Sequence, residues 1–197
     1  MASITQPEQR LSLSRLGVIG AIQSLSKLRG LIIVPIMLRS FGAHGFGVWV
    51  QSILLVSLLS GISQGSLHAA LLRYLPGANQ MRRNEVVWNG LAWVATCSLA
   101  MATVVAIFGG VAAERFLALP SDLLWGVGAL VLLRSLAQYV SNICRADNQG
   151  RRFAILDLVP MLTELVAVVI AAVMDTSLTF GLTLMVAIET IYVAILM

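Results

Sequence analysis

Apolar residues run along this chain in six long blocks, at roughly 16–38, 47–70, 87–111, 122–143, 153–174 and 176–197. About 20 apolar residues in a helix cross a hydrocarbon core ~30 Å thick, and each block reaches that length. The third is the plainest, because residues 86–113 carry no charged side chain. Barrel strands would alternate over about 10 residues, and no such alternation is present. Only helices or closed barrels satisfy backbone polar groups in lipid. The pattern therefore predicts an all-α, polytopic membrane protein with six transmembrane helices.

The segments between the blocks carry turn signals. They are FGAHGFG (41–47), LPGANQMRRNE (75–85), LPSD (119–122), RADNQGRR (145–152) and the short link Asp175-Thr176-Ser177. Residues 1–15 are polar and lack an apolar stretch followed by a small-residue cleavage site. They read as a retained cytoplasmic tail, ahead of a transmembrane unit over 16–197.

Composition narrows the class. Hydrophobic residues make up 58% and charged residues 11%, whereas a soluble domain is about 25% charged. Mean hydropathy is +0.90. These values exclude an ordinary soluble enzyme and a disordered tail. The net charge of +4 sits mostly in loops, so membrane orientation explains it better than nucleic acid does. With the N-terminus inside, the inner segments hold Arg10, Arg15, Arg73, Arg82, Arg83, Arg145, Arg151 and Arg152. The outer segments hold only Arg39 and Arg115. That asymmetry predicts a cytoplasmic (inner) membrane protein with both termini cytoplasmic. Trp49, Trp88 and Trp125 fall near span ends, where interfacial anchors belong. Cys97 and Cys144 have neither paired spacing nor a histidine cluster, which argues against a disulfide or a metal site.

Away from the block ends, five charged residues remain inside the spans: Lys27, Arg29, Arg134, Glu164 and Glu189, with Asp157 near the inner end of its span. Each costs roughly 2.5–3.5 kcal/mol at a helix centre if it faces lipid. They must face protein or water. Four of the six helices place a charge near one plane, the depth at which transporters bind cargo. Arg134 and Glu164 lie at matching depth on consecutive helices, so they form either a structural ion pair or part of a cavity. Lys27 and Arg29 are about 200° apart around a helix and cannot share a face. Lys27 is the better cavity candidate, because Gln23 and Gly20 continue its face. Arg29 can pair or snorkel. Glu189 is a helix contact or a cavity residue.

Polar stripes run at helical spacing on three spans. The second carries Ser57, Ser60, Gln64 and His68. The fourth carries Arg134, Gln138, Ser141 or Asn142, and Arg145. The fifth carries Asp157, Pro160 and Glu164, with a kink expected at Pro160. Such stripes line a water-filled path or bind helices together. Gly61 and Gly65 read as a close-packing motif. His44 and His68 carry no ligand role. The candidate substrate-binding residues are Lys27, Arg134, Gln23, Gln138, Arg29, Glu164 and Glu189. If both acids pair, three bases leave one positive charge, which favours an anionic cargo.

The stretch 24–75 (SLSKLRG … HAALLRYL) resembles the opening of polysaccharide-exporting flippases of the multidrug/oligosaccharidyl-lipid/polysaccharide exporter superfamily. The likeness rests on a basic first helix and an F-G-x-x-x-F-G loop at Phe41-Gly42 and Phe46-Gly47. It continues with Gly65 and Arg73-Tyr74 at the end of the second helix. The stretch 134–158 is similar to the family's fourth helix and following inner loop. The resemblance implies one six-helix lobe of a two-lobe exporter, working by alternating access without a cofactor. It implies a polyprenyl-pyrophosphate-linked saccharide as cargo, with Lys27 and Arg134 meeting the anionic headgroup. A sixth span ending flush with Met197 suggests a truncated first half, which would need a second six-helix lobe.

Other functions compete with this one. A cation-coupled multidrug exporter lobe would be expected to carry an acid on its first helix, and none is there. A membrane enzyme needs acid–base groups in a sizeable outer loop. The outer loops are short, so the reading is not an enzyme. An inactive fragment or scaffold is the remaining alternative.

Overall fold

The computed structural model describes residues 6–112, 120–147, 149–174 and 176–196. Side chains are described from Gly30 onward, apart from 108, 110–112 and 151. The described chain forms six helices and no strand: α1 (Gln6–Gln64), α2 (Leu67–Tyr74), α3 (Gln80–Ala112), α4 (Ser121–Ala146), α5 (Gly150–Val173) and α6 (Leu178–Leu196). Five segments are long and apolar enough to cross a membrane: Gly30–Gln64, Gln80–Ile107, Ser121–Ala146, Arg152–Val173 and Leu178–Leu196. The chain is an all-helical, membrane-embedded protein.

The expected first and second spans appear as two helices that meet at a kink rather than at a seven-residue loop. Helix α1 runs through the FGAHGFG segment and breaks only at Gly42, whose φ of 70° and ψ of 179° are non-helical. That backbone region is open essentially to glycine alone, so one residue does the work expected of seven. Ile33 and Met37 before the break join the same core as Val48, Trp49 and Val56 after it. The second span is also shorter than expected. Gly65 takes φ +52°, ending α1 at Gln64, and the chain restarts as the short helix α2.

Helix α4 is the centre of the fold. It packs against α1, α2, α3, α5 and α6, and 67% of its apolar window is buried, against 22–33% for the other spans. Two of its glycines allow this. A Cβ at Gly126 would run into the side chain of Leu182 on α6, and Gly128 lies over the backbone of Ala102 on α3. The expected packing glycines, Gly61 and Gly65, do not take that role. Nothing lies within 4 Å of a Cβ placed on Gly61, and only a backbone oxygen of its own chain turn lies at 4.0 Å from Gly65. Helix α5 continues through Pro160.

One end of the bundle gathers basic residues. Arg83 at the start of α3 pairs with Asp147 just after α4. Arg145 stacks over Phe153 at 5.5 Å, and Arg73 over Tyr74 at 5.7 Å. The two Arg-rich segments assigned to one side of the membrane therefore do meet at one end of the molecule.

Candidate functional site: a buried ionic cluster

Halfway along α4, Arg134 points into the helix interface. Its Nε donates to Glu189 Oε1 of α6 at 3.1 Å, and its Nη2 lies 3.9 Å from Glu164 Oε2 of α5. All three residues are buried, at 9%, 4% and 2% exposure for Arg134, Glu164 and Glu189. Three consecutive spans thus contribute one ionisable side chain each to a single point. Removing one partner of a buried ion pair costs about 3–5 kcal/mol, because the other is left charged in a poor solvent.

The cluster is held from both sides along its helices. Tyr192, one turn beyond Glu189, donates its hydroxyl to Leu156 O of α5 at 3.2 Å. Tyr139 donates to Val87 O of α3 at 2.7 Å, and a Cβ at Gly90 would collide with that hydroxyl. These bonds fix α6 on α5 and α4 on α3.

A neutral polar file leads from the cluster's level toward the basic end. Gln64 Nε2 donates to Gln138 Oε1 at 2.8 Å, and Asn142 Nδ2 donates to Gln64 Oε1 at 2.9 Å. His68 Nδ1 lies 2.9 Å from Asn142 Oδ1. The stripes on the second and fourth spans therefore face each other. Asn142, rather than Ser141, is the residue that reaches the file. Interhelical bonds of this kind contribute about 0.6 kcal/mol each in a membrane protein, so the file aligns helices more than it stabilises them. Gln138 stays exposed although it sits one turn from Arg134.

A groove of about 510 Å³ opens between α3, α4 and α6. Ala102, Ala106, Gly128, Ala129, Leu133 and Thr190 are among the residues that line it. The last two are sequence neighbours of Arg134 and Glu189. Its lining has no charged side chain, so it is not the basic chamber that the central charges suggest.

Of the sequence candidates, Arg134, Glu164 and Glu189 come together and Gln138 lies one turn away. Gln23, Lys27 and Arg29 fall outside the residues whose side chains are described. Within the described part, the central charges are two acids and one base, whereas the whole sequence has two acids and three bases. Arg134 is met by carboxylates on two sides, so its charge is balanced from within the protein. Trp49 departs from the expected interfacial position, because it is only 4% exposed in the core.

No protein-family model matches the chain, and no curated protein or solved structure matches it.

Proposed function

We propose that this chain is one lobe of a transporter that moves a lipid-linked oligosaccharide precursor across the cytoplasmic membrane by alternating access. The observation that carries the transport reading is the convergence of Arg134, Glu164 and Glu189 from three spans. Ionisable side chains inside membrane helices are rare, and they mark substrate and ion pathways. The saccharide part rests on the resemblance of 24–75 and 134–158 to polysaccharide-exporting flippases, and on the basic first span. In this reading Lys27, with Gln23 on its face, contacts the pyrophosphate. The Arg134 cluster is the internal element that responds to lobe movement, because the carboxylates already occupy that guanidinium. Both termini face the cytoplasm, by the arginine asymmetry. A second lobe completes the cavity.

A cation-coupled drug exporter lobe is the second reading. The two carboxylates on one arginine favour it, and the lack of an acid on the first span weighs against it.

Disrupting the coding sequence in its native cells separates these readings. Lipid-linked precursor should accumulate on the inner leaflet while surface polysaccharide falls, and re-expression should restore both. Raised drug accumulation with normal polysaccharide would instead support the drug exporter. No change in either would leave a non-transporting scaffold.

A further inference from the structure

We propose that the basic end of the bundle is a binding surface for anionic phospholipid headgroups, built where α2, α3, α4 and α5 meet. Leu71 of α2 and Leu75 just after it pack with Val94 of α3 and with Tyr139 and Ala146 of α4 in one buried cluster. Arg83 near the start of α3 pairs with Asp147 just after α4. Arg145 of α4 lies over the ring of Phe153 of α5. The end of α2, the start of α3, the end of α4 and the start of α5 therefore share one end of the molecule.

Each of those segments delivers an exposed arginine: Arg73, Arg82, Arg145 and Arg152. Among the described residues none of the four has a carboxylate partner, because Asp147 is taken by Arg83. Glu85 and Asp157, the remaining acids of these segments, are exposed and bridge to none of the four. Arg73 and Arg145 lie over aromatic rings, and Arg152 donates to Gln149. A guanidinium has five N–H donors, so each of these keeps donors for a further acceptor. Phosphate oxygens suit them, since arginine meets phosphate through two parallel hydrogen bonds.

Apolar side chains stand exposed among the arginines. Helix α2 buries Leu71 but exposes Leu72 and Tyr74, on either side of Arg73. Met81, beside Arg82, is 79% exposed, and Trp88 stands exposed less than two turns further along α3. Ile155 is exposed one turn after Arg152. A soluble anion would engage the arginines and leave these apolar groups in water. A phospholipid engages both, because its phosphate lies beside the boundary where amphipathic and aromatic side chains settle. Arginines beside membrane helices attract anionic lipid in this way. The surface depends on neither the Arg134 cluster nor the saccharide reading.

Electron paramagnetic resonance of spin-labelled lipids tests this on the full chain in phosphatidylcholine vesicles, because it separates lipid held against the protein from bulk lipid. Labelled phosphatidylglycerol should associate with the parent about fivefold more strongly than labelled phosphatidylcholine, the effect of roughly one arginine at an anionic surface. Arg82→Gln, which breaks no described contact, should lower that preference. Arg82→Gln, Arg145→Gln and Arg152→Gln together should abolish it. Arg39→Gln should keep it, because that part of α1 meets the start of α6 at the other end, where Gly45 lies against Leu178. Equal association of the two lipids with the parent would overturn the proposal, and that result needs no variant. A preference that survives the triple substitution would overturn it too, because the anionic lipid then sits elsewhere. Inorganic phosphate should lower the preference no more than sodium chloride of equal ionic strength. A loss specific to phosphate would make this a soluble-anion site and overturn the lipid assignment.

Discussion

Arg134 donates through Nε to Glu189 Oε1 across 3.1 Å, joining the middle of α4 to the later half of α6. The bond lies on the most enclosed helix of the protein, with Glu164 of α5 on the guanidinium's other side. Arg134→Ala should therefore destabilise the fold by about 3–5 kcal/mol, since two buried carboxyls lose their cation. Replacing all three residues together by apolar ones of similar size should cost much less, or stabilise. Thermal unfolding in detergent, read by helix content, compares the two.

Glycine substitutions should separate packing sites from open ones. Gly126→Ala pushes a methyl group into Leu182, which is 1% exposed and has little room to move. It should cost about 1–3 kcal/mol. Gly61→Ala meets nothing within 4 Å in a helix interior and should be neutral or stabilise by about 0.5–1 kcal/mol. The same unfolding measurement reports both.

The break in α1 makes a similar contrast within one short motif. Gly42→Ala forces a side chain into a region that glycine alone adopts readily, at a cost of about 1–3 kcal/mol. Gly47→Ala lies in helix with open space around it and should cost nothing. Spin labels at exposed positions on either side of residue 42 should change separation in the first variant only.

Tryptophan exposure predicts a quenching pattern. Trp88, Trp93 and Trp125 are 68%, 59% and 85% exposed, while Trp49 is 4% exposed. Brominated lipids should quench single-tryptophan proteins retaining Trp88, Trp93 or Trp125 and leave one retaining only Trp49 bright. Equal quenching of all four would place Trp49 outside the core.

Spans three to six were legible in the sequence to within a few residues, except for the start of the third. The reason is that lipid demands an uninterrupted apolar helix. The first third was less so. FGAHGFG has the composition of a loop, yet only Gly42 leaves helical geometry, because glycine permits a loop without requiring one. Helix α3 starts at Gln80, not 87, as the polar residues before the apolar block still form helix. The meeting of Arg134 with Glu164 was visible as matching depth on neighbouring helices. The shorter contact, to Glu189, was not singled out, because depth says nothing of which way α6 is rotated. Gln64 and His68 carried the right spacing for the polar file, but their partner on α4 depends on helix rotation too. Gly126 is the clearest omission. Its role needs the position of Leu182, fifty-six residues away, and no local pattern reveals that.

In the proposed function the buried cluster is a working part of a transporter and more than a fastening between helices. Surface polysaccharide in native cells whose only copy is Glu189→Gln, at parental membrane levels, tests it most directly. Such cells should show a clear fall in surface polysaccharide, with precursor held at the inner leaflet. Parental polysaccharide levels at parental protein levels would contradict it.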